Sequence, residues 1–243
     1  MAGSSLTESF LITGVSSGLG HGLAKACLDR GTKVYGLSRR TPPDLSGRPG
    51  FVFASMDLTR FEAVPPALDK LLAGVKSLHM VVLNAGVLGD IEDLADTPLD
   101  KVKQVMDINL WANKAILDHL FKRGVAIKQV VAISSGAAVS GARGRNAYSL
   151  SKAALNMMME LYAAERQDTH FSALAPGLVD TAMQDYVRDL PDDSRYPTVQ
   201  RLKRARGTPD MPFPDELAPR LLDAFRRVLR EESGSFHDLR AMG

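Results

Sequence analysis

Three side chains in this chain could together deliver a proton to a carbonyl oxygen: Ser135, Tyr148 and Lys152. Tyr148 and Lys152 form a Tyr-x-x-x-Lys pair, and Ser135 lies thirteen residues before the tyrosine. A phenol is a poor acid or base at neutral pH unless a nearby cation stabilises its phenolate. Helical spacing of four puts the Lys152 ammonium on the face of Tyr148, within reach of that task. Helices often carry Tyr and Lys at this spacing by chance. The pair gains meaning from the elements that must position it.

Near the N-terminus, Phe10-Leu11-Ile12-Thr13 reads as a short buried strand. It runs into Gly14-Val15-Ser16-Ser17-Gly18-Leu19-Gly20 and then a helical stretch over 21–30. Strand, glycine-rich turn and helix, in that order, set backbone N–H groups and a helix N-terminus against a pyrophosphate. The spacing is Gly-x-x-x-Gly-x-Gly, which differs from the Gly-x-Gly-x-x-Gly of other dinucleotide sites. A second strand over 33–38 ends at Ser38-Arg39-Arg40. Dinucleotide folds commonly set an acidic residue there to hold ribose hydroxyls. An arginine gains instead from a 2′-phosphate, so Arg39 favours NADPH, while Arg40 reads as a solvated loop residue. Further on, Asp57 follows the apolar run 51–54, and the strand-like 80–83 ends in Asn84-Ala85-Gly86. A small, glycine-ended turn after a buried strand lets backbone approach a bound ring or ribose.

Strands and helices alternate along the chain, which implies an α/β fold with a doubly wound parallel sheet covered on both faces. Strands are expected near 9–13, 33–38, 51–55, 78–83, 128–134, 169–175 and 235–237, and long helices near 18–30, 98–123, 147–167 and 214–231. Thr97-Pro98 has the form of a helix start, with a capping hydroxyl followed by a first-turn proline. Thr59-x-x-Glu62 resembles a capping box, but Pro65 and Pro66 follow too soon for a long helix. Pro42, Pro43 and Pro49 argue for a bare loop between the second and third strands.

Together these residues resemble the short-chain dehydrogenase/reductase family over almost the whole chain. The motifs stand as Thr13-Gly14-x-x-x-Gly18-x-Gly20, Asp57, Asn84-Ala85-Gly86, Asn109, Ser135, Tyr148-x-x-x-Lys152 and Pro176-Gly177 with Thr181. The resemblance implies a single Rossmann-type domain over residues 1–243. It makes Tyr148 the proton donor, Ser135 the group that orients the carbonyl, and Lys152 the holder of the nicotinamide ribose that lowers the tyrosine pKa. Asn109 would support a water leading to the lysine, Asp57 would bind the adenine amino group, and Thr181 the nicotinamide carboxamide. It extends the NADP(H) contacts to Ser16, Ser17, Leu19, Ser38, Leu58, Ala85 and Val179. Leu83 stands where the family usually has a further asparagine. By the same resemblance the helices near 98–123 and 147–167 build a four-helix interface, giving a homodimer or homotetramer.

A narrower likeness, to sepiapterin and benzil reductases, lies in 176–184, in the substrate lid at about 185–214, and in Ser233-Gly234-x-x-x-Asp238. In sepiapterin reductases an aspartate in that C-terminal segment anchors the pterin, which makes Asp238 the matching residue. A carboxylate suits a guanidine-like edge because it accepts two parallel hydrogen bonds. Otherwise Asp238 is a surface residue after the last strand.

Composition narrows the field further. With 243 residues, 45% of them hydrophobic, the chain can bury one sizeable core. A net charge of +2 and the absence of groove-reading motifs argue against nucleic acid as a partner. The basic run 201–206 reads as a solvated helix face or as a lid that meets an anion. Cys27 is the single cysteine, which excludes an internal disulfide, and the five histidines lack metal-ligand spacing. No apolar run reaches membrane-spanning length, and no signal-peptide pattern opens the sequence, so a cytoplasmic location is expected. The residues point to an NADPH-dependent reductase of a ketone or α-dicarbonyl. Alternatives are an NAD-dependent secondary alcohol dehydrogenase, which runs the same chemistry backwards, and a dinucleotide-sensing binding protein without catalysis.

Overall fold

The computed structural model describes residues 8–191 and 194–242. Seven strands form one parallel sheet: β1 (Ser9–Thr13), β2 (Lys33–Ser38), β3 (Phe51–Ser55), β4 (Ser77–Leu83), β5 (Ala126–Ile133), β6 (His170–Ala175) and β7 (Phe236–Asp238). Their order is β3-β2-β1-β4-β5-β6-β7, so the winding reverses between β1 and β4. In an open parallel sheet that reversal leaves a crevice at the carboxyl ends of the strands, where ligands bind.

Both faces are covered, which is why the central strands read as continuous apolar runs. One core layer packs α2 (Val64–Leu71), α4 (Ala112–Lys122) and α5 (Asn146–Glu165) on the sheet through residues such as Leu68, Ile116 and Leu155. The opposite layer packs α1 (Gly18–Asp29) and α8 (Pro214–Val228) through Leu23 and Phe225. Cys27 belongs to that second layer, where burial pushes its thiol up to about 12, so it is an inert core residue.

Three local features bear on the site. Between β2 and β3 the chain makes a turn in which the N–H groups of Leu45 and Ser46 both donate to the Pro42 carbonyl. Leu45, fully buried, pins that helix-free loop to the core, in keeping with its prolines. Secondly, the expected helix over 98–123 is broken into α3 (Leu99–Met106), a π-helical turn (Asp107–Trp111) and α4. Pro98 is the N-cap and not the first helical residue, and the Thr97 hydroxyl donates back to the Asp93 carbonyl. Thirdly, Thr59 does not cap a helix. Its N–H and hydroxyl both bond Asp57 Oδ1, and α2 begins only at Val64, with Pro65 in a first turn whose N–H groups need no helical partner.

Two more helices, α6 (Ala182–Asp189) and α7 (Pro197–Ala205), follow the β6 loop and lie within the stretch expected as a lid, of which residues 192–193 fall outside the described residues. Among the described residues no helix is long and apolar enough to cross a membrane.

Candidate active site

The site begins where β1 and β4 end side by side. The Thr13 hydroxyl oxygen accepts from the N–H groups of both Asn84 and Ala85 at 3.0 Å. The Asn84 amide in turn donates to the Thr13 carbonyl at 2.9 Å. This clamp holds the two loops so tightly that a Cβ placed at Gly20 would lie 2.3 Å from Asn84 Nδ2 and 2.4 Å from the Gly14 carbonyl oxygen. Gly14 (φ +78°) and Gly18 (φ +59°) turn the chain through conformations that other residues resist. Helix α1 then starts after Ser17 with no side-chain cap, which leaves its first N–H groups to a ligand. A dinucleotide pyrophosphate fits that cradle.

The proton-handling group lies across the crevice, on β5 and α5. Lys152 is buried, and its Nζ donates to the Ile133 carbonyl at 2.7 Å. Burial pulls its pKa down to about 8. Its Nζ lies 5.7 Å from the centre of the Tyr148 ring, one helical turn earlier. Burial pushes the Tyr148 phenol up, while the adjacent Ser135 hydroxyl and the Arg145 charge pull it the other way. Ser135 Oγ accepts from the Ala137 N–H at 3.1 Å, which leaves its own proton to donate. Arg145 thus joins Lys152 as a cation beside the phenol, its guanidinium carbon 5.8 Å from the ring centre, a residue not singled out for that role from sequence.

Asn109 occupies the π-helical turn, fully buried. Its side chain accepts from the Val87 N–H (2.8 Å) and donates to the Val87 carbonyl (2.9 Å) and to Ser151 Oγ (2.9 Å). Its carbonyl accepts from Asn113 Nδ2 at 2.8 Å. Asn109 here braces the β4 loop against α5.

A cavity of about 350 Å³ joins the two halves. Its pyrophosphate region is lined by Gly14, Ser16, Ser17, Gly18 and Leu19, with Asn84, Ala85 and Gly86 opposite. Ser38, Arg39, Asp57 and Leu58 line the adenosine end. Ser135, Tyr148, Lys152, Pro176, Gly177, Val179 and Thr181 line the reactive end. Thr13, Gly20 and Asn109 stand behind this surface and shape it. Arg40, an exposed residue, also borders the cavity. Ser38 Oγ donates to the Arg40 carbonyl at 2.8 Å and Ser55 Oγ to the Arg39 carbonyl at 2.8 Å, which fixes the backbone of both arginines beside the crevice. Met56 and Ile108 line it too and carried no sequence signal; Ala182, Met183 and Gln184 of the 176–184 segment also line it.

Helices α6 and α7 cover the reactive end. Val187, Val199, Leu202 and Met211 pack with Leu88, and with Tyr148 and Leu178 at their border. Arg206 ties the cover down, reaching Asp180 at 3.2 Å and Asp185 at 2.7 Å. Asp238, at the end of β7, is engaged: Oδ1 accepts from the Arg240 N–H (3.0 Å) and Nε (2.9 Å), and Oδ2 from Nη2 (2.5 Å). The pair borders Gly136, next to Ser135, since a Cβ there would lie 3.3 Å from Arg240 Nη2. Asp238 thus sits at the mouth of the site with its carboxylate already taken.

Fold, cradle and reactive group agree with what comparison shows. Residues 8–191 match the short chain dehydrogenase family, and the chain belongs to that family. It is an oxidoreductase of the kind that uses a nicotinamide dinucleotide. It is 29% identical over 245 residues to the benzil reductase ((S)-benzoin forming) of Bacillus subtilis, covering 96% of this chain and 98% of that one. It is 30% identical over 197 residues to the benzil reductase of Bacillus cereus, covering 74% and 78%. A crystal structure of a Saccharomyces cerevisiae short-chain dehydrogenase/reductase superposes with a TM-score of 0.84 at 24% identity, covering 96% of both chains.

The depressed Lys152 pKa carries a stability signature. Between about 8 and the ordinary 10.5, the unfolded chain holds a proton that the folded chain has lost. Folded stability therefore rises with pH across that window, and the burial cost is fully present below it. Denaturant midpoints measured across this range without cofactor should rise for the wild type relative to Lys152→Met. A constant difference between the two would contradict a desolvated Lys152 ammonium.

Proposed function

We propose that this oxidoreductase is an NADPH-dependent carbonyl reductase acting on a ketone or α-dicarbonyl with an apolar, benzil-like body. The observation that carries this reading is the meeting of the Tyr148 phenol, the Ser135 hydroxyl and the buried Lys152 on one wall of a cavity whose far end carries Arg39 and Arg40. When bound, the nicotinamide supplies hydride to the carbonyl carbon. Tyr148, kept protonated at neutral pH by burial, gives its proton to the carbonyl oxygen. Ser135 donates a hydrogen bond to that oxygen as charge develops on it. Lys152 and Arg145, as neighbouring cations, make the departing phenolate less costly.

Choice of cofactor follows from the adenosine end. No carboxylate follows β2; two guanidinium groups line the cavity there, suited to a 2′-phosphate. Choice of substrate follows from Asp238. A carboxylate that already accepts three N–H bonds from Arg240 has little left for a pterin, which favours the benzil-like reading over the sepiapterin-like one. The benzil reductases among the relatives support the same choice. Running in reverse, the site would serve an NAD-dependent alcohol dehydrogenase, against which the arginine pair weighs. A binding protein that only senses the dinucleotide would have no need of the complete catalytic set.

We further propose that the active form is a homodimer or homotetramer. Leu150, Met157 and Leu161 recur at spacings of seven and four on α5 and are each about half exposed. Trp111 adds a fourth exposed apolar side chain beside α4. A second copy of the chain would cover such a stripe.

Three outcomes are expected. Tyr148→Phe should lower NADPH-dependent benzil reduction by about 10²–10⁴-fold while leaving NADPH affinity nearly unchanged, and Arg39→Ala with Arg40→Ala should erase a preference for NADPH over NADH. Unimpaired turnover in the phenylalanine variant, or equal use of both cofactors by the wild type, would contradict the reading. Light scattering should give at least twice the monomer mass, falling to the monomer in Leu161→Glu; a monomeric wild type would refute the oligomer.

A further inference from the structure

One guanidinium beside the reactive tyrosine has no counter-charge among the described residues. Arg145, the residue before α5, holds its guanidinium carbon 5.8 Å from the centre of the Tyr148 ring. That distance is close to the outer limit of about 6 Å for a cation–π contact, so the ring alone is a weak partner. Among the described residues Arg145 makes no hydrogen bond or ion pair through its side chain. Its neighbours behave differently. Arg143 is bound by Asp93, with Nε to Oδ1 at 2.7 Å, and Arg240 is bound by Asp238.

The surroundings make this isolation costly. Burial pushes the Arg145 pKa down, and the Arg201 charge on α7 pushes it the same way. Arg201 itself has no ion pair among the described residues. Two like charges, one of them partly buried, thus act on each other, one just before α5 and the other on α7. A partly buried cation left unpaired carries a desolvation cost, and an anion that arrives with a ligand relieves it. Around them the walls are apolar: Leu88, Leu178 and Met183 pack about Tyr148.

From this arrangement we infer that the substrate carries a carboxylate, and that Arg145, helped by Arg201, is its specificity-determining contact. The inference deepens the reductase reading above and rests on it. An apolar body lies against Leu88 and Leu178, its carbonyl at Tyr148 and Ser135, and its carboxylate on the Arg145 fork. A planar guanidinium matches the two carboxylate oxygens bidentately, and one desolvated guanidinium balances a single negative charge better than a phosphate dianion. Arg145 then has two effects, holding the substrate and easing proton release from Tyr148.

The test compares benzil bearing a para-carboxylate with its methyl ester, a neutral probe of nearly the same shape. The ratio of their kcat/KM values with NADPH isolates the charge, because any effect of Arg145 on Tyr148 acts on both probes. In the wild type the acid should be favoured by about tenfold or more, with its KM rising as salt is added. Arg145→Met should bring the ratio to about one, Arg145→Lys should restore part of it, and Arg201→Met should lower it by a smaller factor. If Arg145→Met does not fold, the lysine variant and Arg201→Met still report the ratio. Should neither probe be reduced, the reductase reading fails; calorimetric affinities of acid and ester for the NADP⁺-bound protein then decide the inference alone. A wild-type ratio of one or below, or a ratio unmoved in every variant (in turnover, or in affinity where turnover is absent), overturns it.

Discussion

A lysine ammonium almost without water, held by one backbone carbonyl, is the constraint on which the reactive half of this molecule depends. The Ile133 carbonyl that accepts from Lys152 is the last of β5, so the bond fixes α5 against the end of the sheet. Gly86 packs close by: a Cβ there would press on Asn109 Oδ1 at 3.1 Å and touch Lys152 Nζ at 3.6 Å. Asn109 reaches that point only because the π-helical turn carries it toward the Val87 backbone. Strand end, helix and two loops thus converge on one buried charge, and Tyr148 takes its place one turn away.

The rest of the site's electrostatics is divided between its ends. Arg39 and Arg40 give the adenosine end a positive rim beside the single carboxylate of Asp57, while Arg145 adds positive charge beside the phenol. Between them lie the uncapped first turn of α1 and the neutral clamp of Thr13 and Asn84. Anions would be drawn to both ends and neutral backbone would hold the middle. Such an arrangement suits a phosphate-bearing cofactor and a charged substrate meeting at Tyr148.

Much of this was legible along the chain, where the determinants are local. The order strand, glycine turn, helix specifies the cradle, and Tyr148 with Lys152 needs only the helical repeat to share a face. Apolar runs of the covered parallel strands likewise located the sheet to within a few residues. What escaped depends on partners distant in sequence. The π-helical turn at Asp107–Trp111 interrupts a helix whose composition gives no warning, since its cause is the bracing of Asn109 by Val87 and Ser151. Thr97 lost its capping role to the Asp93 carbonyl and to Asn146. Asp238 was claimed by Arg240 just beyond it. Arg145 stood in a loop of three charged or glycine neighbours, where nothing distinguishes the paired Arg143 from the unpaired arginine two residues later.

The most direct measurement of the central claim is the fate of a label. Purified protein would be given benzil and NADPH deuterated at the transferring carbon, and the product analysed at short times by mass spectrometry and NMR. A carbonyl reductase predicts benzoin carrying one deuterium on its carbinol carbon, formed in step with NADPH oxidation. Benzoin without the label, or NADPH consumed without benzoin, would contradict hydride transfer to the carbonyl and with it the role assigned to Tyr148.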